Sequence, residues 1–275
     1  MKNKFLTLLF LIFVSGITLV PAQEQDNEQK AQAILTEARN IVSKSTKKTE
    51  TKFFIEFDSQ IQYSERRIKQ GKVPRYSLSR KWLYASSNKF EVKNHYRYET
   101  RGENIGIQSL NGAEYTVKSS YKDADMVAFK ESIRNDSAEV QRRFMQELRY
   151  HAFGLFFPLL LDFDKEMKFS YVGTAKSGDQ TADVIQTKLD GIYDIQLFFD
   201  QKTHKLLLVV SKFVNERWKD EIEQKFFFSD YQTVDGFNFA QKIVIQENGE
   251  VMEERKIQKF IANSKREFGS FELLK

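Results

Sequence analysis

The chain of 275 residues has no cysteine, only three prolines and only three histidines. Without cysteine there is no disulfide framework, no Cys-based zinc site, no Fe–S cluster and no thiol nucleophile. His95, His151 and His204 lie far apart in sequence, so a histidine metal site is not expected. No G-x-S-x-G pattern occurs. A catalytic set and a cofactor are therefore not expected. Against these absences stand 25 phenylalanines in a chain that is 41% hydrophobic and 29% charged. Such an aromatic load excludes disorder, and the length allows a sizeable core.

Part of the apolar surplus lies outside the fold. Lys2 and Lys4 precede a nearly unbroken apolar run from Phe5 to Val14, and Val20-Pro21-Ala22 offers compact residues to a signal peptidase. Residues 1–22 read as a cleavable secretory signal peptide, with Ala22 the last residue removed. The run is short for a bilayer span and ends in breakers. No Cys follows it for lipid attachment. The expected location is the periplasm. Residues 23–28 read as a polar linker and 29–275 as a single domain. Cleavage removes two lysines and no acid from a chain of net charge +5. The remainder is nearly neutral with both signs interspersed, so no nucleic-acid partner is expected.

Ala31, Ile34, Leu35, Ala38, Ile41 and Val42 recur at helical spacing and predict an amphipathic helix over 29–44. Most of the rest alternates with period two. Phe53, Ile55 and Phe57 share a face, as do Tyr76, Leu78, Trp82 and Tyr84, and then Tyr193, Ile195, Leu197 and Phe199. Asn111-Gly112, Asp190-Gly191, Asp235-Gly236 and Asn248-Gly249 mark tight turns between them. Ten or eleven antiparallel strands are expected. In the middle, Asp136 and Glu139 form a capping box ahead of Val140, Phe144, Leu148, Ala152, Leu155 and Leu159. Phe153, Phe156, Phe157, Leu160 and Leu161 make this helix apolar all round, and Gly154 and Pro158 should kink it.

The fold class is mainly β with helices, α+β. A sheet with one apolar and one charged face must curve to hide the apolar one. The economical form is a strongly curved antiparallel half-barrel, unclosed, covered or plugged by the N-terminal helix and the kinked central helix. Two readings stay open from the pattern: a solid core filled by the helices, or an apolar cavity under a helical lid.

The order of motifs resembles the LolA/LolB-like superfamily of periplasmic lipoprotein carriers. Asn111-Gly112-Ala113-Glu114-Tyr115 resembles one of its hairpins. Asp190-Gly191-Ile192-Tyr193-Asp194-Ile195, running into Phe199-Asp200-Gln201-Lys202-Thr203-His204-Lys205-Leu206, resembles another. Phe228-Ser229-Asp230-Tyr231-Gln232-Thr233-Val234-Asp235-Gly236-Phe237 resembles a segment of lipoprotein-sorting proteins. The resemblance covers nearly the whole mature chain. It implies an unclosed barrel with a helical lid, used without catalysis to bind a lipid or an acylated protein. Glu91 stands where the family's Arg is sought, and Phe239-Ala240 where its Pro is expected. On the carrier reading, the expected lining is Phe53, Ile55, Tyr84, Leu197, Phe199, Phe226, Phe228 and Ile243 from the sheet. Phe153, Phe156, Phe157 and Leu160 are expected from the lid. Each of these also suits a packed core.

Charged clusters are weaker signals. Asp162, Asp164 and Glu166 alternate after the apolar helix. Such carboxylates can do acid–base work, which leaves a carboxylate-dependent hydrolase as a trailing alternative, or bind calcium, for which a loop's central Gly is lacking. Arg66, Arg67, Lys69, Lys72, Arg75, Arg80 and Lys81 make one segment basic, and Arg142, Arg143 and Arg149 another. Ordinary solubility explains both. Contact with an anionic membrane surface or an acidic envelope protein is the functional reading.

Overall fold

The structure is a computed structural model. It describes residues 24–42, 53–62, 76–86, 89–98, 102–111, 114–122, 130–133, 167–177, 179–214, 219–234 and 236–262, with single positions between 139 and 150 and between 265 and 271. Helix α1 (Glu24–Val42) is followed by β1 (Phe53–Gln62), β2 (Tyr76–Ser86), β3 (Lys89–Tyr98), β4 (Gly102–Asn111), β5 (Glu114–Lys122) and β6 (Lys130–Ile133). After the central stretch come β7 (Ser170–Ser177), β8 (Gln180–Leu189), β9 (Tyr193–Asp200), β10 (Leu206–Val214), β11 (Glu221–Val234), β12 (Phe237–Glu247) and β13 (Glu250–Ala262).

All thirteen strands form one antiparallel sheet, curved and not closed into a barrel. Two meanders, β1 to β6 and β7 to β13, meet where β1 pairs with β13. Among the described residues, the edges of the sheet are thus β6 and β7, which are neighbours in sequence. The chain between Ile133 and Ser170 must therefore run from one edge of the sheet to the other. Register shifts at Glu56/Phe57, Tyr171/Gly173, Leu206/Leu208 and Ile245/Gln246 add local bend and twist.

The strand count exceeds the ten or eleven expected. Strand β6, Lys-Glu-Ser-Ile, is too short and polar for alternation to reveal it. Helix α1 starts at Glu24, so positions 24–28 are helical where a linker was expected. Glu24, Asp26 and Glu28 favour a helix N-terminus through the peptide dipoles, a signal that apolar periodicity ignores. Its predicted stripe does face the sheet: Ala31, Ile34, Leu35, Ala38 and Val42 are buried. They pack across β7 and β12. Those two strands are five neighbours apart, about 24 Å along a flat sheet, and a helix of this length spans about 28 Å.

The sheet is not apolar on one face only. Tyr193, Ile195, Leu197 and Phe199 enter the cluster beneath α1. Phe198, of opposite parity, joins Ala182, Val184, Leu208, Val210, Phe227 and Val244 in a second buried cluster on the other face. A third cluster on that outer face holds Phe54 and Ile107 against Phe271, with Phe268 beside them. Runs such as Phe226-Phe227-Phe228 put aromatics on both faces at once, so their alternation is hidden.

The turns follow their residues. Asp190 and Gly191 have φ of 52° and 70°, and Asn248 and Gly249 have 50° and 87°. Two successive positive φ values are what a two-residue hairpin turn requires. The turn after β9 is built on Asp200 instead. Its Oδ1 accepts from the Lys202 and Thr203 amides and the Thr203 hydroxyl, and its Oδ2 from Gln180 Nε2, all at 2.7–3.0 Å. Burial alone would raise this carboxyl, but the hydrogen bonds from Gln180, Thr203 and Lys202 outweigh it and lower its pKa. A lowered folded-state pKa stabilises above the unfolded value, and that stability is lost as pH falls through the folded one. Asp200→Asn should therefore cost about 1 kcal/mol at neutral pH and flatten the acid limb of the stability curve, read by urea denaturation from pH 7 to pH 3.

Candidate functional site

The inner face of the sheet is the candidate site. Ile55 on β1, Leu197 and Phe199 on β9, Phe226 and Phe228 on β11 and Ile243 on β12 all belong to one continuous buried cluster. That cluster also holds the apolar stripe of α1, Phe57, Phe239 and Phe260. Phe239 and Phe260 lie 4.2 Å apart between ring centres. Six of the expected lining residues are thus brought together by β-sheet parity. The side chains of Phe53 and Tyr84 lie outside the described residues, and so do Phe153, Phe156, Phe157 and Leu160 entirely. The backbone register sets Tyr84 across from Phe54 and Leu83 across from Ile55. That one-residue offset between β1 and β2 is not specified by the alternation of either strand alone.

Tyr150, in the central stretch, reaches this face. The described positions Glu139, Arg142, Arg143, Gln146 and Tyr150 are helical, and Tyr150 is 3% exposed. Its ring stacks on Tyr193 at 4.2 Å with planes 4° apart, and meets Phe213 and Phe226 edge-on at 5.6 and 5.9 Å. Its hydroxyl donates to Gln224 Oε1 at 2.9 Å, while Gln224 Nε2 donates to Glu247 Oε2 at 2.9 Å. Cross-strand register explains the polar patch. Thr187, Ile195, Ser211, Gln224 and Glu247 are successive partners across β8 to β12, one transverse row of the sheet. Burial pushes the Tyr150 hydroxyl pKa well up, and the Ser211 hydroxyl beside it only partly opposes this.

A second polar feature lies between β12 and β1. Arg255 on β13 is 3% exposed and pairs in register with Ile243 on one side and Ser59 on the other. Its Nε and Nη2 donate to the two carboxylate oxygens of Glu253 at 2.9 Å each. The Ser59 hydroxyl donates to the same carboxylate, and the guanidinium lies 5.5 Å from the Phe57 ring centre. Nη1 is buried and has no hydrogen-bond partner among the described residues.

Tyr150, Gln224, Arg255 and Glu253 were not expected from the sequence. Tyr150 sits among charged and apolar residues with no period of its own. Glu253 and Arg255 lie in the run Glu253-Glu254-Arg255-Lys256, charged on both faces, which reads as solvated. Glu91, noted only as a departure, is 2% exposed and accepts from Ser109 at 3.0 Å on the outer side of β3 and β4. The outer face also carries a polar groove of about 410 Å³ lined by Lys168, Gln186, Lys188, Asp194, Gln196 and Lys212. Two of its lysines are tied to acids, Lys188 to Asp194 at 3.2 Å and Lys212 to Glu223 at 3.5 Å. His204 sits in the Asp200 turn at φ 53°. His151, Asp162, Asp164, Glu166 and the basic residues at 66–75 lie outside the described residues. Among the described residues, no group of three metal-ligating side chains occurs and no helix is long and apolar enough to cross a membrane.

The chain matches no protein-family model and no curated protein sequence. Among solved structures it is similar to a LolA superfamily protein of Nitrosomonas europaea, at 11% identity over 84% of this chain and 92% of that one, with a TM-score of 0.48. An uncharacterised conserved protein of Thermus thermophilus aligns at 12% identity over 85% and 87%, with a TM-score of 0.24. The MucA/MucB complex of Pseudomonas aeruginosa aligns at 12% identity over 86% of this chain and 58% of that one, with a TM-score of 0.25.

Proposed function

We propose that this protein is an exported, non-enzymatic binder of a lipid, an acyl chain or a lipidated protein in the cell envelope. The ligand would lie against the apolar inner face, beneath α1 and the central helix, for transport or sensing. The signal-like segment 1–22 supports a periplasmic location.

One observation carries the reading. The sheet is open, and the buried apolar cluster lies on its inner face under helical cover. All its ladders run between strands, so neither α1 nor Tyr150 contributes to them. The cover can lift without breaking a ladder hydrogen bond. A chain entering this face gains roughly 0.8 kcal/mol for each methylene taken out of water. That gain offsets the packing given up when the helices are displaced.

The test is gentle purification followed by native mass spectrometry, lipid extraction and titration with a fluorescent fatty acid. A co-purifying lipid at one or a few copies per chain, or saturable uptake of the probe, is the expected result. An empty protein that takes up no probe, even after Phe156→Asp, would instead support a solid-core envelope module that binds other proteins by its surface.

A further inference from the structure

Among the described residues, several polar atoms of the inner face are buried without a hydrogen-bond partner, among them Thr187 Oγ1, Gln241 Nε2 and Arg255 Nη1, and of these only Arg255 carries a charge. Arg255 is held by Glu253 through Nε and Nη2, which leaves Nη1 buried without an acceptor. An unmet guanidinium nitrogen in a dry site is costly, because the N–H groups have lost water and gained nothing. The arrangement is otherwise well supported. Phe57 lies near the guanidinium, Ser59 steadies Glu253, and Ile243 and Ser59 flank Arg255 across the ladder.

The charge balance says what would complete it. Glu253 already neutralises Arg255 with two parallel hydrogen bonds. A second carboxylate or a phosphate arriving at Nη1 would lie close to Glu253 and be repelled. A hydrocarbon would leave the nitrogen unmet. A neutral acceptor oxygen removes the deficit without adding charge. Resting on the carrier reading above, we propose that Arg255 Nη1 anchors the carbonyl oxygen of an acylated ligand. The site would then select an ester- or amide-linked chain over a free fatty acid or a plain alkane, with the chain along the Phe/Ile/Leu surface beside it.

The experiment uses the full mature chain loaded with diphenylhexatriene, a fluorescent hydrocarbon with no acceptor oxygen. Four competitors of matched length displace it: methyl palmitate, N-methylpalmitamide, palmitate and hexadecane. Methyl palmitate or the amide should compete about five- to tenfold better than hexadecane and palmitate, the scale of one well-made hydrogen bond. Whichever of the two is the stronger identifies the linkage. Arg255→Lys should abolish the advantage. In case that variant fails to fold, Arg255→Met combined with Glu253→Met removes the charge pair together and should bind all neutral competitors alike. Uptake of the reporter with no carbonyl advantage, or an advantage that survives the double replacement, overturns this inference and leaves the carrier reading intact. A protein that takes up neither reporter nor competitor overturns both.

Discussion

Tyr150→Ala is expected to lower the unfolding free energy by about 3–5 kcal/mol, the range for emptying a buried aromatic site. The ring is stacked on Tyr193 and flanked by Phe213 and Phe226, so three neighbours lose a packing surface together. The loss also strips Gln224 Oε1 of its donor. Tyr150→Phe keeps the rings and removes only the hydroxyl, and should cost about 1 kcal/mol. Chemical denaturation separates the two. The hydroxyl also leaves a pH signature. Burial raises its pKa in the folded chain, so its stabilisation is complete below the unfolded value near 10 and declines as pH rises above it. Tyr231 is partly buried, its hydroxyl donates to the Leu206 carbonyl and its pKa is likewise raised by desolvation, so it contributes to the same alkaline limb. Tyr150→Phe should therefore remove part of the stability loss between pH 9 and pH 11, and not all of it. If Tyr150 pins a lid, the Phe variant should also take up a fluorescent fatty acid faster than the parent. An unchanged uptake rate in a folded Phe variant would argue for a helix that stays in place.

The second large effect is expected at Glu253. Replacing it with Ala leaves Arg255 charged, buried and without its bidentate partner, which should cost about 3–5 kcal/mol. The Ser59 hydroxyl loses its acceptor in the same step. Replacing Glu253 and Arg255 together with Met should bring stability back to within about 1–2 kcal/mol of the parent, since a buried ion pair is rarely worth more than well-packed apolar side chains. Midpoints from guanidinium denaturation of the two single variants and the double variant form a cycle that checks this. A double variant as damaged as Glu253→Ala would mean that the pair orders this part of the sheet by more than its charge balance.

The site was legible only where one physical signal spoke alone. Period-two alternation placed Ile55, Leu197, Phe199, Phe226, Phe228 and Ile243 on the inner face, and the 3.6 period found the stripe of α1. Paired residues with positive φ were legible as Asp190-Gly191 and Asn248-Gly249. Where signals overlapped, the pattern was lost. Glu253 and Arg255 are inward-facing charges in a strand charged on both sides, and no local pattern distinguishes them from solvated neighbours. Phe198 and Phe227 are apolar on the face expected to be charged, because they bury each other with Ala182, Val184, Leu208, Val210 and Val244 in a cluster of that face's own. Register between β1 and β2 is a two-strand property, so the Phe54–Tyr84 pairing could not come from either strand.

Composition and local order were enough for the antiparallel strand-rich fold, the amphipathic first helix, the short hairpin turns and the lack of thiol chemistry. Each of these follows from residue counts or from side chains within a few residues of one another. The remainder arose only in three dimensions. There β1 pairs with β13, β6 and β7 become the edges of the described sheet, and the connection between them crosses from one to the other. There too Tyr150 meets Tyr193 and Gln224, and Arg255 comes beside Glu253, Ser59 and Phe57. Those arrangements depend on residues distant along the chain, whose mutual energies arise only once the curved sheet has closed water out of its inner face.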